Sequence, residues 1–177
     1  MNNQEQKIHT ELLVIRCLRG ETDAFEPIVA QWQSPMLAFA LRYLGNENDA
    51  LDVVQEAWTA IIKGLHKLQS PSLFVPWMFR ILTNKCIDRL RIKRINAQSL
   101  ENVDLPSMPP ETLDINESLN KAVEQLSDEY KTLVLLRFGQ GLSTEQIAAI
   151  LNIPEGTVRS RMHRTLVRLR EILGEPL

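Results

Sequence analysis

The chain contains few of the residues that form zinc sites or disulfide frameworks. Its 177 residues include two cysteines and three histidines, and neither Cys17 nor Cys86 lies in a C-x-x-C pair. This scarcity argues against a structural zinc site and against a disulfide-linked fold. We expect both cysteines to be small buried apolar side chains, and we expect no metal or cofactor.

Long apolar runs are also missing. No stretch approaches the roughly 20 apolar residues of a membrane-spanning helix, and Met1 to Lys7 lacks the apolar core of a signal peptide. The hydrophobic content of 44% is ordinary for a globular protein. The expected location is therefore the cytoplasm.

Strand patterns are absent, and the apolar positions recur at helical spacing, which predicts an all-α fold. Residues 98–112 contain three prolines and show no periodicity, as is typical of a linker. The sequence thus predicts two small helical domains at 1–97 and 116–177, joined by a flexible acidic linker at 98–115.

The net charge of −2 is an average over strongly charged segments. Residues 80–94 carry six basic side chains and one acidic one, and residues 155–171 carry five arginines and two glutamates. Between them, residues 101–129 carry eight acidic side chains and one lysine. Two separate basic elements indicate two surfaces for nucleic acid.

The last third of the chain has the pattern of a helix-turn-helix. Gly141 is suited to end one helix, and Ser143 with Gln146 can form a capping box that begins the next. Asn152 tolerates the left-handed backbone of a turn, and Pro154 suits the first turn of the following helix. Such a motif places its second helix in the DNA major groove.

That second helix is amphipathic and basic. Its predicted core face consists of Val158, Met162, Leu166, Leu169 and Leu173. The predicted residues for contact with duplex DNA are Thr157, Arg159, Ser160, Arg161, His163 and Arg164. The alternative is a surface helix with a solvated charged face.

Two helices are predicted in the first half of the chain. One begins with a capping box of Asp23 and Glu26, is interrupted or restarted at Ser34-Pro35, and ends at Gly45-Asn46. The next spans 49–64, with an inward face of Leu51, Val54, Trp58, Ile61 and Leu65. Its polar stripe of Asp52, Gln55, Glu56 and Thr59 is solvated or a docking surface, and periodicity alone favours a solvated stripe.

The other basic element, residues 76–91, has an apolar arc of Met78, Ile81, Leu82, Cys86, Ile87 and Leu90. Trp77, Arg80 and Asn84 share the opposite stripe. Aromatic rings that stack on unpaired bases, with arginines on the phosphates, are typical of single-strand binding. The alternative is that Trp77 packs against a neighbouring helix. Residues 66–75 before it are a candidate pocket for an extruded base.

These motifs together resemble those of bacterial extracytoplasmic-function (ECF) sigma factors of the sigma-70 superfamily. Residues 49–58 resemble the D-A-x-D-x-x-Q-E pattern of region two, and residues 77–84 resemble its W-L-x-R-I-x-x-N helix. Residues 126–170 resemble region four, including the G-T-V-x-S-R-x-x-R string at 156–164. Asn152 stands where the family often has glycine.

The resemblance implies a protein that binds core RNA polymerase, directs it to promoter DNA and is controlled by an anti-sigma factor. It implies that the stripe Asp49, Asp52, Gln55 and Glu56 docks on the polymerase clamp helices. The minus-ten element, as a melted strand, would be bound by Trp77, Arg80, Asn84, Lys85, Asp88 and Arg91. The helix-turn-helix would read the minus-thirty-five element, and the acidic linker would thread the polymerase interior.

Two other functions are open on sequence grounds. A helix-turn-helix regulator that acts on duplex DNA without polymerase would share region four, although no receiver-like α/β pattern is present. An enzyme would need Asp49, Asp52 and Glu56 as metal ligands, since these three share a helix face. No histidine or glycine-rich phosphate loop lies near them in sequence, so we predict no enzyme activity.

Overall fold

The computed structural model describes residues 3–99 and 117–174. Every regular element in these two ranges is helical, which confirms the predicted all-α fold. The eight α-helices of the described ranges are α1 (Asn3–Leu18), α2 (Phe25–Leu44), α3 (Glu47–Gly64), α4 (Phe74–Ser99), α5 (Glu117–Glu124), α6 (Asp128–Val134), α7 (Thr144–Leu151) and α8 (Glu155–Leu173). Short 3₁₀ turns lie at Thr22–Ala24, Leu65–Lys67 and Pro71–Leu73, and a π-helical segment, Leu135–Gly139, continues α6.

The chain divides into two compact units, Met1–Leu105 and Pro106–Leu177. The predicted linker at 98–115 lies outside the described residues from residue 100 onward, and its first two residues belong to α4. The domain boundaries therefore stay a prediction.

The core of the first unit is formed by α2, α3 and α4, with α1 packed against α2. Phe79 of α4 is fully buried and lies edge-on to Phe39 and Trp32 of α2, with ring centroids 5.7 and 6.1 Å apart. The Trp32 indole N–H donates to Thr10 Oγ1 at 3.2 Å, which fastens α1 to the core. This packing holds α3 and α4 side by side.

Two predictions about α2 are wrong. Asp23 and Glu26 form no capping box, because α2 begins at Phe25 without a side-chain cap and Asp23 accepts a hydrogen bond from Arg16 instead. Pro35 does not interrupt the helix, which runs through it. Proline removes one backbone hydrogen bond, and the buried side chains on either side of it keep the helix packed against the core.

The end of α2 and the start of α3 lie close to their predicted places. Gly45 ends α2 with φ 66°, a conformation that favours glycine. Asn46 caps α3, and its Oδ1 accepts from the Asp49 N–H at 3.0 Å. Leu51 is 43% exposed rather than inward. The buried face runs through Ala50, Val53, Val54, Ala57, Trp58 and Ile61.

The helix-turn-helix of the second unit consists of α7, a turn and α8. The capping box of Ser143 and Gln146 is present, and Asn152 ends α7 in the left-handed region at φ 54° and ψ 47°. Both predictions are confirmed. Pro154 is the N-cap of α8, one residue before the helical position predicted for it.

The buried face of α8 differs in part from the prediction. Val158 and Leu169 are buried as expected, but Leu166 is 38% exposed and Thr165 is fully buried. The Thr165 hydroxyl donates to the Arg161 carbonyl at 2.7 Å, so its burial leaves no unpaired polar group. Leu169 packs with Ala122, Leu126 and Val134, which anchors the C-terminal half of α8.

Candidate nucleic-acid interfaces

Opposite charges face each other across the contact between α3 and α4. We call these six side chains the interhelical network: Asp49, Asp52 and Glu56 on α3, and Lys85, Arg89 and Lys93 on α4. The acids recur every three or four residues and the bases every four, so each set lies along one face of its helix. The predicted polymerase stripe and part of the predicted minus-ten surface are thus brought into contact.

Arg89 is the centre of this network. Its Nη1 donates to Asp49 Oδ1 at 3.0 Å and to Asp52 Oδ2 at 3.4 Å, and its Nη2 donates to Glu56 Oε1 at 3.0 Å. Lys93 pairs with the other oxygen of Asp49. One guanidinium therefore links all three carboxylates of the interhelical network to α4.

Glu56 receives a second cation. Lys85 Nζ donates to Glu56 Oε2 at 3.0 Å, and this hydrogen bond is the main reason that the pKa of the Glu56 carboxyl is lowered from its ordinary value. Nearby Arg89 lowers the same pKa further, while desolvation opposes both effects. Glu56 is therefore charged at neutral pH.

The acidic residues of α3 differ in accessibility. The Asp49 side chain is only 14% exposed, whereas Asp52 and Glu56 are 62% and 51% exposed. Gln55 lies on the exposed side as well. Asp49 therefore pairs with Arg89 and Lys93 inside the domain, whereas the other three predicted docking residues remain accessible to a partner.

Sequence reasoning missed Arg89 and Lys93 as partners of the α3 stripe. A helical wheel treats each helix alone, so it cannot show which stripe of the next helix will face it. The available signal was the matching spacing of opposite charges on two consecutive helices.

The outer face of α4 keeps four of the predicted minus-ten residues exposed: Arg80, Asn84, Asp88 and Arg91. Trp77 is only partly buried, and its ring lies 6.2 Å from that of Phe74, tilted by 51°. A Cβ at Gly64 would stand 3.0 Å from Trp77 Cζ2, so one edge of the indole lies against the end of α3. One edge of the Trp77 ring therefore packs against a neighbouring helix, as the alternative to base stacking predicted, and the side chain remains partly exposed.

The start of α8 presents four of its predicted contact residues at the surface: Arg159, Ser160, His163 and Arg164. The Arg159 side chain is 71% exposed and pairs with Glu155 one turn earlier at 3.0 Å. Arg164 Nε lies 3.4 Å from the Ser160 carbonyl along the same face. These four side chains lie on one exposed face of the N-terminal half of α8.

The other two predicted contact residues of α8 are placed differently. Arg161 pairs with Glu129 of α6 and is 31% exposed, so its guanidinium binds within the domain. Thr157 is partly buried, and its carbonyl accepts from the Ser160 hydroxyl at 3.0 Å.

Neither a metal-binding cluster nor a membrane-spanning helix is found in residues 3–99 and 117–174. No group of three or more His, Cys, Asp or Glu side chains in these ranges is placed to hold a metal ion. The three carboxylates that an enzyme would use as metal ligands are paired with the guanidinium of Arg89. No helix in the same ranges is both long and apolar enough to cross a membrane.

Comparison with known proteins accounts for both units. A family model described as Sigma-70 region 2 matches residues 28–94, and one described as Sigma-70, region 4 matches residues 116–169. The ECF RNA polymerase sigma factor SigW of Bacillus subtilis is 30% identical over 173 residues, which cover 89% of this chain and 92% of SigW. This chain belongs to the ECF RNA polymerase sigma factors. The ECF sigma-E factor of Escherichia coli is likewise 30% identical over 175 residues, covering 90% of this chain and 91% of sigma-E.

One solved structure supports this family assignment, and a second shares the fold. The sigma factor RpoE of Bartonella quintana, in complex with the anti-sigma factor NepR, matches with a TM-score of 0.74 and 26% identity over 85% of this chain and 96% of RpoE. CnrH, in complex with the cytosolic domain of CnrY, matches with a TM-score of 0.71 and 22% identity over 94% of this chain and 97% of CnrH, a likeness of fold. The family assignment favours a sigma factor over a regulator that acts without polymerase.

Proposed function

We propose that this ECF sigma factor binds core RNA polymerase through the exposed part of α3 and contacts promoter DNA through α4 and α8. The observation that carries the proposal is that each of these three helices has an exposed polar face. Asp52, Gln55 and Glu56 form the polymerase-binding face. Their negative charge suits a basic partner surface.

The α8 face reads the minus-thirty-five element as duplex DNA. Arg159 and Arg164 are long exposed donors suited to guanine or phosphate, and Ser160 suits either kind of contact. The left-handed turn at Asn152 supports this role, because it sets the angle between α7 and α8. Arg161 stabilises the domain through Glu129.

The α4 face binds the minus-ten element as a melted strand. Arg80 and Arg91 are exposed for phosphates, and Asn84 is exposed for a base edge. The exposed part of the Trp77 side chain gives a flipped or unpaired base a surface on which to stack. Lys85 contributes a further cation once it is free of Glu56.

The remaining parts of the proposal concern organisation and control. The domains are 1–97 and 116–177, joined by the linker at 98–115, and the protein works in the cytoplasm, where polymerase and promoters are. It selects and opens promoters, and the polymerase carries out the chemistry. Regulation by an anti-sigma factor is supported by the likeness to RpoE, which was solved in complex with NepR.

In vitro transcription tests this function. Purified core RNA polymerase is combined with a fragmented bacterial genomic library, with and without this protein. Transcripts that start downstream of a shared two-box motif only when the protein is present support the proposal. Binding to duplex DNA without any binding to core polymerase would contradict it and would favour the helix-turn-helix regulator.

A further inference from the structure

Glu56 belongs to two surfaces at once. Its side chain is 51% exposed on the polymerase-binding face, yet each of its carboxylate oxygens already has a cation. Oε1 accepts from Arg89 and Oε2 accepts from Lys85, both at 3.0 Å. A basic group of a partner that binds Glu56 must therefore displace or share one of these two cations.

The two cations are held unequally. Arg89 also donates to Asp49 and Asp52, at 3.0 and 3.4 Å, and keeps these contacts when Glu56 is engaged elsewhere. Within residues 3–99 and 117–174, the ion pair of Lys85 is with Glu56 alone. Lys85 is therefore the cation that a partner of Glu56 releases.

Lys85 is next to the DNA-binding face of α4. It follows Asn84 directly, and its side chain is 28% exposed at the junction of the two helices. A released lysine on a flexible stem can reach a phosphate of a strand bound along α4. The same side chain is thus counter-ion to the polymerase-binding face or ligand to DNA, but not both.

We infer that Glu56 couples the two interfaces: polymerase binding to Glu56 releases Lys85 to a DNA phosphate, so core binding raises the affinity of α4 for the promoter strand. The inference rests on the proposed function of the α3 and α4 faces. Such coupling is reciprocal in binding free energy, so DNA bound to Lys85 raises the affinity for core polymerase equally. A partly exposed ion pair limits the effect to about two- to fivefold.

The DNA side is tested with the full chain and a short fluorescein-labelled single-stranded DNA of mixed sequence, by anisotropy over a salt series. Glu56→Gln is expected to tighten binding about two- to fivefold. It should also steepen the logarithmic salt dependence by about 0.7, the value for one added phosphate contact on a single strand. Glu26→Gln, which removes an exposed carboxylate from α2 of the same unit, is the matched control and should change neither quantity by as much.

A double-mutant cycle separates release of Lys85 from a general change of charge. In a Lys85→Gln background, Glu56→Gln should no longer tighten DNA binding, because the lysine to be released is gone. An equal gain in both backgrounds would overturn the inference, since it would show a long-range charge effect. The absence of any gain in the wild-type background would overturn it as well. Melting temperatures of the variants establish that each is folded at the temperature of the assay.

The polymerase side is tested with purified core enzyme in the absence of DNA. Lys85→Gln should bind core about two- to fivefold more tightly than wild type, because Glu56 then has one competing cation fewer. Wild-type protein that fails to bind core would contradict the proposed function itself. Wild-type binding with no gain in Lys85→Gln would leave that function standing and overturn the coupling.

Discussion

The Ser143 hydroxyl accepts a hydrogen bond from the Gln146 backbone N–H at 3.2 Å, while the Gln146 side chain accepts one from the Ser143 N–H at 2.9 Å. This reciprocal pair satisfies two backbone donors at the start of α7 that no helical carbonyl can reach. Because α7 packs against α8, the pair helps to set the position of the DNA-reading helix.

Ser143→Ala should lower the free energy of unfolding of the second unit by about 1 kcal/mol, because the N-cap acceptor is lost. Denaturant titration followed by circular dichroism measures this change. Ser143→Asp, which keeps an acceptor at the N-cap, is the control and should retain most of the stability. Equal midpoints for the alanine variant and wild type would show that the cap contributes little.

Asn152 ends α7 in the left-handed backbone conformation, with φ 54° and ψ 47°. Asn152→Ala should be less stable than Asn152→Gly by about 1 kcal/mol, because a Cβ without a local hydrogen-bonding group disfavours the left-handed conformation. The comparison of the two variants by thermal unfolding checks this, since both lack the asparagine amide. If alanine is tolerated as well as glycine, the turn is not held in this conformation in solution.

Arg159→Ala and Arg164→Ala should each weaken binding to duplex promoter DNA by about 1 to 3 kcal/mol if they contact base edges. The test uses the promoter identified by transcription and measures the dissociation constant at fixed salt. Arg19→Ala removes the same charge from the exposed turn that follows α1 and should leave promoter affinity unchanged. Wild-type affinity of both α8 variants would remove these two arginines from the interface.

Asn84→Ala combined with Trp77→Ala should leave promoter docking intact and reduce promoter opening. The α8 contacts that dock the duplex are unaffected, whereas the α4 face loses a base contact and a stacking surface. Permanganate reactivity of thymines in the minus-ten region reports opening. Trp77→Ala also removes a packing contact with Gly64, so the single variant Asn84→Ala, at an exposed residue, isolates recognition from stability. Unchanged permanganate reactivity in both variants would contradict a role of the α4 face in promoter opening.

Cys86 should resist alkylation in the folded protein. It is fully buried, and desolvation raises the pKa of its thiol to about 12, so almost none of the reactive thiolate is present at pH 8. Iodoacetamide labelling of Cys17→Ser, followed by mass spectrometry, isolates this thiol. Labelling should be slow in buffer and complete in denaturant. Rapid labelling in buffer would mean that the core around α4 opens readily.

The sequence by itself determined the features that depend on neighbours along the chain. The capping box at Ser143, the left-handed end of α7 at Asn152 and the glycine end of α2 at Gly45 all arise from side chains or backbone within a few residues. The exposed basic face of α8 follows from helical periodicity in the same way. Two thirds of the predicted α8 contact residues could therefore be placed on one surface without a structure.

Tertiary packing decided the rest, because it depends on which stripe of one helix meets which stripe of another. Only the contact of α3 with α4 reveals that Asp49 forms ion pairs with Arg89 and Lys93, and that Glu56 forms one with Lys85. Only the contact of α6 with α8 brings Arg161 into an ion pair with Glu129. A local sequence pattern shows that a charged or aromatic side chain lies on the surface of its helix. The residue that pairs with this side chain is often far away in the sequence. Such long-range contacts exist only once the core has formed.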